Sequence, residues 1–170
     1  MALRQIREYG DPILEKQCKP VAEMTERTKE LIDDMFETMY EAGGVGLAAP
    51  QVGILKQLCV IDVTPDCSEP LVFINPEITE MSQEEQTGYE GCLSYPGKSG
   101  IVTRAMRVKA TALDRDMKPF EIEAEGLLAR CMQHEFDHLK GILYMGKVEG
   151  DIIDNSELYA EDDEEESEDE

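Results

Sequence analysis

The chain has two histidines, and they stand four residues apart in His134-Glu135-Phe136-Asp137-His138. Around them, residues 126–140 (GLLARCMQHEFDHLK) carry Leu127, Leu128, Cys131 and Leu139 at helical period. Residues i and i+4 of a helix share one face, so both imidazoles can reach a single ion. Glu135 stands beside a ligand position without occupying one, where it can contact a metal-bound water. This is the HExxH arrangement of metal-assisted hydrolysis. Two solvated histidines on an acidic helix face are the plain alternative. The setting inside an apolar-periodic helix favours the metal.

A hydrolytic centre needs a third protein ligand and one open position. Cys131 precedes His138 by seven residues, a separation of ~10 Å along a helix axis, too long for one helix to wrap one ion. Cys92 fits better: it lies in Glu90-Gly91-Cys92-Leu93-Ser94, where Gly91 permits close backbone approach. The remaining Cys18, Cys59 and Cys67 read as buried apolar thiols. A third segment, GVGLAAPQ at 44–51, places two glycines around a small residue, so that a backbone can run close to something extended. Gln51 could aim an amide N–H at a developing oxyanion; a loop with a surface glutamine is the simpler reading of that segment alone.

The rest of the chain predicts an α+β fold. Residues 28–42 place Leu31, Ile32, Met35, Phe36 and Met39 at helical spacing, with Gly43-Gly44 as a stop signal. Residues 57–64 and 71–75 read as strands punctuated by Pro65, Pro70 and Pro76. Residues 107–114 and 119–124 read as a hairpin around Asp116-Met117-Lys118, where Met117 is an unusual turn residue. Two helices of different context among such strands argue against a repeating βαβ unit. The expected organisation is a catalytic domain over 1–156 and an acidic tail over 157–170.

Charge narrows the partners. The formal net charge is -22, from 16 Lys+Arg against 38 Asp+Glu. Ten of the acids and none of the bases fall in 157–170, so the body stands at -12 and the tail at -10. Like charges at that density, with almost no apolar content, lead us to expect a disordered tail. A nonspecific nucleic-acid binder needs a basic face, and an anionic membrane would repel this chain, so neither DNA nor membrane is expected as a direct ligand. Five cysteines without a CxxC pair suggest free thiols in a reducing compartment. The first ten residues have no apolar signal-like core, and the expected location is the cytoplasm.

Taken together, GVGLAAPQ at 44–51, EGCLS at 90–94 and QHEFDHLKG at 133–141 resemble peptide deformylases of the bacterial type, in the family's order and at family-like separations. The resemblance runs from about Ile6 to Lys147. It implies antiparallel sheets around a central helix that carries HExxH, and removal of the formyl group from nascent polypeptides beginning with formylmethionine. It implies that Cys92, His134 and His138 hold a divalent metal, Fe(II) in the cell, with Zn(II) or Ni(II) forms after purification. Glu135 would take a proton from the metal's water and return one to the departing amine. The oxyanion would rest on the metal, the Gln51 side chain and the Leu93 N–H. Gly44, Val45, Gly46 and Glu90 would surround the substrate, while Leu127 and Cys131 would line an apolar pocket for the methionine side chain. Many bacterial relatives end in a basic helix suited to ribosomal RNA. Here that region is acidic, so ribosome proximity is expected from the substrate but C-terminal docking is in doubt.

Two other readings fit parts of the pattern. One is a noncatalytic relative that keeps the metal as a clamp, although Glu135 and Gln51 are both present. The other is an HExxH endopeptidase, which would take its third ligand downstream, where no histidine follows His138.

Overall fold

A computed structural model of the chain describes residues 2–158. Its first long helix, α1 (Glu26–Glu41), begins where Thr25 caps it, the Thr25 hydroxyl oxygen accepting the Thr28 N–H at 3.2 Å. Leu31, Ile32, Met35 and Met39 form its buried stripe. The helix opens two residues before the apolar period does, because the cap rather than the stripe fixes its start.

Eight strands follow: β1 (Gly46–Ala48), β2 (Leu58–Ile61), β3 (Leu71–Met81), β4 (Glu85–Cys92), β5 (Tyr95–Ala105), β6 (Arg107–Leu113), β7 (Pro119–Glu125) and β8 (Glu149–Asp154). Helix α2 (Gly126–His138) stands between β7 and β8 in the chain. The strands make a five-stranded sheet, ordered β1-β2-β3-β6-β7, and a three-stranded sheet, ordered β4-β5-β8. Every pairing within them is antiparallel. The class is α+β, as the sequence predicts.

Strand β2 is where the two halves of the core meet. Its four residues, Leu-Cys-Val-Ile, are all fully buried. Leu58 and Val60 pack with the α1 stripe, and Cys59 and Ile61 pack with α2. A strand covered on both faces needs an unbroken apolar run rather than alternation, which is why this segment reads so clearly. On the α2 side, Phe73 meets Phe136 edge-on at 5.3 Å. Ala105, Ala110, Ala112, Ala124 and Ala129 are small enough to let α2 settle close to the sheet. Each large side chain buried here contributes about 1.5–3 kcal/mol.

The β6–β7 hairpin forms at the expected place, but its turn differs. Asp114 Oδ1 accepts the N–H groups of Asp116 and Lys118 at 2.9 and 3.0 Å, and Met117 takes a left-handed φ of 61°. An aspartate that ties its own backbone two residues on can hold this turn without glycine. Met117 in turn packs against the α1-side core.

The structure differs from the plain sequence reading at three points. The segment 44–51 is not a plain loop: Gly46–Ala48 forms edge strand β1, and Ala49–Val52 a 3-10 turn. Cys67 is not buried; it is exposed, with φ 57°, in the turn between β2 and β3, whose Asp62, Thr64 and Ser68 hydrogen bonds are local and need no apolar contact. The three-stranded sheet was not read from the sequence, since one face of β4 is exposed throughout and Glu90 is the one fully buried residue on the other. Of the tail expected over 157–170, Glu157 and Leu158 are described and the remainder lies outside the described residues. Among the described residues no helix is long and apolar enough to cross a membrane.

Candidate active site and metal centre

Helix α2 and the end of β4 build the site between them. Gln133, one residue before the motif, locks α2 to β5: its side chain accepts the Ala105 N–H at 3.1 Å and donates to the Ala105 carbonyl at 3.0 Å. One turn of helix then brings His134 Nε2 within 3.2 Å of His138 Nε2. Cys92, at the tight turn from β4 into β5, sets its Sγ 3.4 Å from His138 Nε2. The ligand atoms of Cys92, His134 and His138 all lie within 4.8 Å of one another.

The outer nitrogen of His134 is supported. Its Nδ1 is 3.5 Å from Glu90 Oε1, and Glu90 is held by Arg104, Nη2 to Oε2 at 2.9 Å and Nε to Oε1 at 3.3 Å. Arg104 Nη1 also donates to Asp137 Oδ2 at 2.8 Å, and Lys147 Nζ stands 3.2 Å from the same oxygen. Arg104 thus bridges Glu90 and Asp137, and the network is largely buried. Burial works against ionisation of Glu90, yet the hydrogen bonds and charges of His134 and Arg104 outweigh it and bring its pKa down to about 2.

Glu135 is the opposite case. It is buried, and its Oε2 has no hydrogen-bond partner among the described residues. Its Oε1 lies against strand β1, where a Cβ added to Gly46 would sit 2.6 Å from it. A side chain at this position would push the Glu135 carboxylate from its place. Gly44 is under the same constraint, with an added Cβ 2.6 Å from the Leu93 side chain. Burial pushes the Glu135 pKa up to about 7; His134 lowers it, while Glu90 adds to the rise.

Gln51 is fully buried rather than on the surface. The Ala48 N–H donates to its Oε1 at 2.9 Å, which turns Nε2 toward Cys92 Sγ at 3.4 Å and Ser94 Oγ at 3.0 Å. A cavity of about 430 Å³ opens over these groups. Gly44, Val45 and Gly46 form one wall; Leu127 and Cys131 belong to the other, with Glu90, Leu93, His134 and Glu135 also facing in. All twelve residues singled out from the sequence gather in this region, ten of them lining the cavity. Cys131 is buried and its thiol is pushed up to about 12, first by burial and then by Glu135 and Glu90. It is a wall rather than a nucleophile.

Sequence reasoning missed Arg130, Tyr89 and Asn155, which also line the cavity. Arg130 donates to the Val102 carbonyl at 3.1 Å and stands 3.8 Å from Glu90 Oε1. A charged residue inside the apolar period of 126–140 was a visible signal for Arg130. Nothing local marked Tyr89 or Asn155.

The donor set fits a divalent cation. Three ligand atoms crowd to hydrogen-bonding distance with two of the residues buried. His138 is driven well below its usual pKa by burial and by His134. Against the cost of burial, His134 is raised to about 10 through hydrogen bonds to Cys92 and Glu90. A thiol and two imidazoles gathered this closely are the ligand types that bind a divalent ion in their deprotonated forms.

Such an arrangement defines a class: α+β proteins with a Cys-His-His centre built on an HExxH helix beside a groove. A sequence profile described as polypeptide deformylase matches residues 3–151. A peptide deformylase of Lachnoclostridium phytofermentans is 59% identical over 166 residues, 98% of this chain and 99% of that one. Another, from Agathobacter rectalis, is 62% identical over 154 residues, 91% of this chain and 95% of the relative. The crystal structure of a peptide deformylase from Legionella pneumophila superposes with a TM-score of 0.83 at 49% identity, covering 86% of each chain. The chain belongs to the polypeptide deformylase family.

Proposed function

We propose that this chain hydrolyses the N-terminal formyl group from nascent polypeptides that begin with formylmethionine. The observation that carries the reading is Glu135: a buried carboxylate with one unpartnered oxygen, held beside the Cys92, His134 and His138 cluster at the groove. Cys92, His134 and His138 would hold one divalent cation, for which we favour Fe(II) in the cell and Zn(II) or Ni(II) as forms that purified protein can carry. Bound there, the cation supplies Lewis-acid polarisation of the formyl carbonyl and acidifies a water.

The chain's own residues do the rest. Strand β1 lies at the edge of its sheet, pairing with β2 on one side only. Its free edge at Gly46, next to Val45, faces the groove and can take an extended peptide as an added strand. That registers the substrate with its formyl end over Glu135. The wall with Leu127 and Cys131 accepts a flexible thioether side chain. Glu135, with a pKa near neutrality, takes a proton from the attacking water and gives one to the departing amine. Gln51 Nε2, and the Leu93 N–H beside Cys92, offer donors to the oxygen on which negative charge develops. Glu90 holds the His134 ring from behind.

In this reading residues 1–156 are the catalytic domain, acting in the cytoplasm close to the ribosome, and the acidic 157–170 offers no basic surface for docking to ribosomal RNA. The test is release of formate from formyl-Met-Ala-Ser against cleavage of an N-blocked internal peptide bond. Formate release alone supports this reading. Cleavage of the internal bond would instead mark an endopeptidase, and no hydrolysis by metal-loaded protein a clamp. Metal analysis of protein prepared without oxygen, paired with activity, identifies the ion.

A further inference from the structure

The glycine-rich wall of the groove is placed within narrow limits. Gly44 abuts Leu93 and Gly46 abuts Glu135, each so closely that a Cβ would collide at 2.6 Å. A shift of a few tenths of an ångström in this segment therefore moves the strand edge relative to both catalytic elements. What fixes its position is not within the segment itself. From below, the Gly43 and Gly44 N–H groups close the end of α1 on the carbonyls of Tyr40 and Met39, at 3.1 and 3.0 Å. From the side, the Asp62 N–H donates to the Val45 carbonyl at 2.9 Å, just past the Gly46–Ile61 register of β1 and β2.

A side-chain hydrogen bond joins the end of α1 to the end of β2. The Tyr40 hydroxyl donates to Asp62 Oδ2 at 2.7 Å. Asp62 is 2% exposed, although it begins a loop. Its other oxygen, Oδ1, accepts the Thr64 N–H at 3.0 Å and the Thr64 hydroxyl, which tie it to the strand-to-loop turn. Both carboxylate oxygens are thus used, one toward the helix and one toward the loop. A buried charged acceptor makes such bonds stronger than neutral ones.

We infer that the Tyr40–Asp62 hydrogen bond is a positioning latch for catalysis: it locks the α1 terminus to the end of β2 and so sets the Gly44–Gly46 edge at the height where an extended substrate aligns with Glu135 and Leu93. Neither residue touches substrate, so both are positioning residues. This rests on the proposed deformylase reading, in which β1 receives the peptide backbone.

The test is Tyr40→Phe in the metal-loaded full chain, with Thr64→Val as control. Thr64→Val weakens Asp62 on the loop side and leaves the helix contact in place. For Tyr40→Phe we expect KM for formyl-Met-Ala-Ser to rise about tenfold with kcat within about twofold, the pattern of lost binding rather than lost chemistry. With formyl-Met amide, which has no further backbone to pair, the rise should be much smaller. Thr64→Val should lower the melting temperature and leave KM unchanged. Amide exchange over 42–46 should accelerate in Tyr40→Phe while α2 keeps its protection. Wild-type protein that releases no formate would defeat the deformylase reading, and the exchange measurement would still decide the latch. Unchanged exchange, an equal KM change with both substrates, or the same KM change in Thr64→Val would overturn it in favour of a general contribution to stability.

Discussion

Two buried glutamates flank His134, and they differ in almost every respect. Glu90 comes from a strand, has both oxygens taken by Arg104 and faces the His134 ring nitrogen; its pKa is about 2. Glu135 comes from the helix, has a bare oxygen and an uncharged glycine edge beside it; its pKa is about 7. The same side chain is made a permanent anion on one side and a group that titrates near neutrality on the other. Both are buried, and the bonds and charges of Arg104 and His134 lower Glu90, while burial, with the Glu90 charge beside it, raises Glu135. The saturated side suits orientation of a ligand and the unsaturated side suits proton transfer.

The contrast is tested first where the effect is largest. Glu135→Gln removes the proton carrier and keeps the shape, so turnover should fall by about 10³-fold or more; general acid–base groups are worth about 10²–10⁴. Metal content and melting temperature should stay near wild type. Formate release within about tenfold of wild type would remove Glu135 from the mechanism.

Disturbing the paired side should act on stability and metal retention instead. Arg104→Leu strands Glu90 and Asp137 without their shared guanidinium, and breaking a buried pair from one side costs about 3–5 kcal/mol. The denaturation midpoint should drop accordingly, and affinity for the ion should weaken by about 10–100-fold as His134 loses its support. A midpoint unchanged from wild type would mean that the network carries no net stability.

Acid titration of metal-free protein separates the two carboxylates by sign. The pKa of Glu90 is lowered from 4.5 to about 2 in the folded chain. Its contribution is therefore complete above pH ~4.5 and lost as pH falls toward ~2, on the order of 3 kcal/mol in all. Glu90→Gln should lack this acid leg. Glu135, raised to about 7, acts the other way: ionising it costs stability as pH climbs through its ordinary range toward neutrality. Urea unfolding from pH 2 to 8 in the two variants should show slopes that differ from wild type in opposite windows.

The smallest effect is expected from the acidic end. Deleting 157–170 should change turnover of short formyl peptides by less than about twofold, since among the described residues the cavity lining ends at Asn155. A large loss would assign the segment to the fold.

How far the chain could be read in advance follows from the range of each interaction. His134 and His138 were legible because i,i+4 spacing is local, and β2 because burial on both faces leaves an apolar run. Cys92 lies 42 residues before His134 and gained its place only in combination with the other motifs. Strands β4, β5 and β8 were not legible. Thr87 and Thr103 bond across an exposed face, and the buried positions of β4 come down to one glutamate whose partners lie on β5 and α2. Tyr40 and Asp62, separated by 22 residues, lay unremarked inside a helix and a strand until the fold joined them. Cys67 was misread because a cysteine near an apolar strand is usually inside, and here the turn carries it out.

That exposed cysteine gives the molecule a natural attachment point. Burial raises the thiols of Cys18, Cys59 and Cys131, which slows their reaction with alkylating dyes. With Cys92 set in the proposed metal cluster, a maleimide fluorophore would reach the exposed Cys67 first. It would then sit three residues past Thr64, on the same turn that anchors Asp62. A reporter there would watch the substrate-facing edge from outside the groove, in an enzyme whose sequence needed no alteration to receive it.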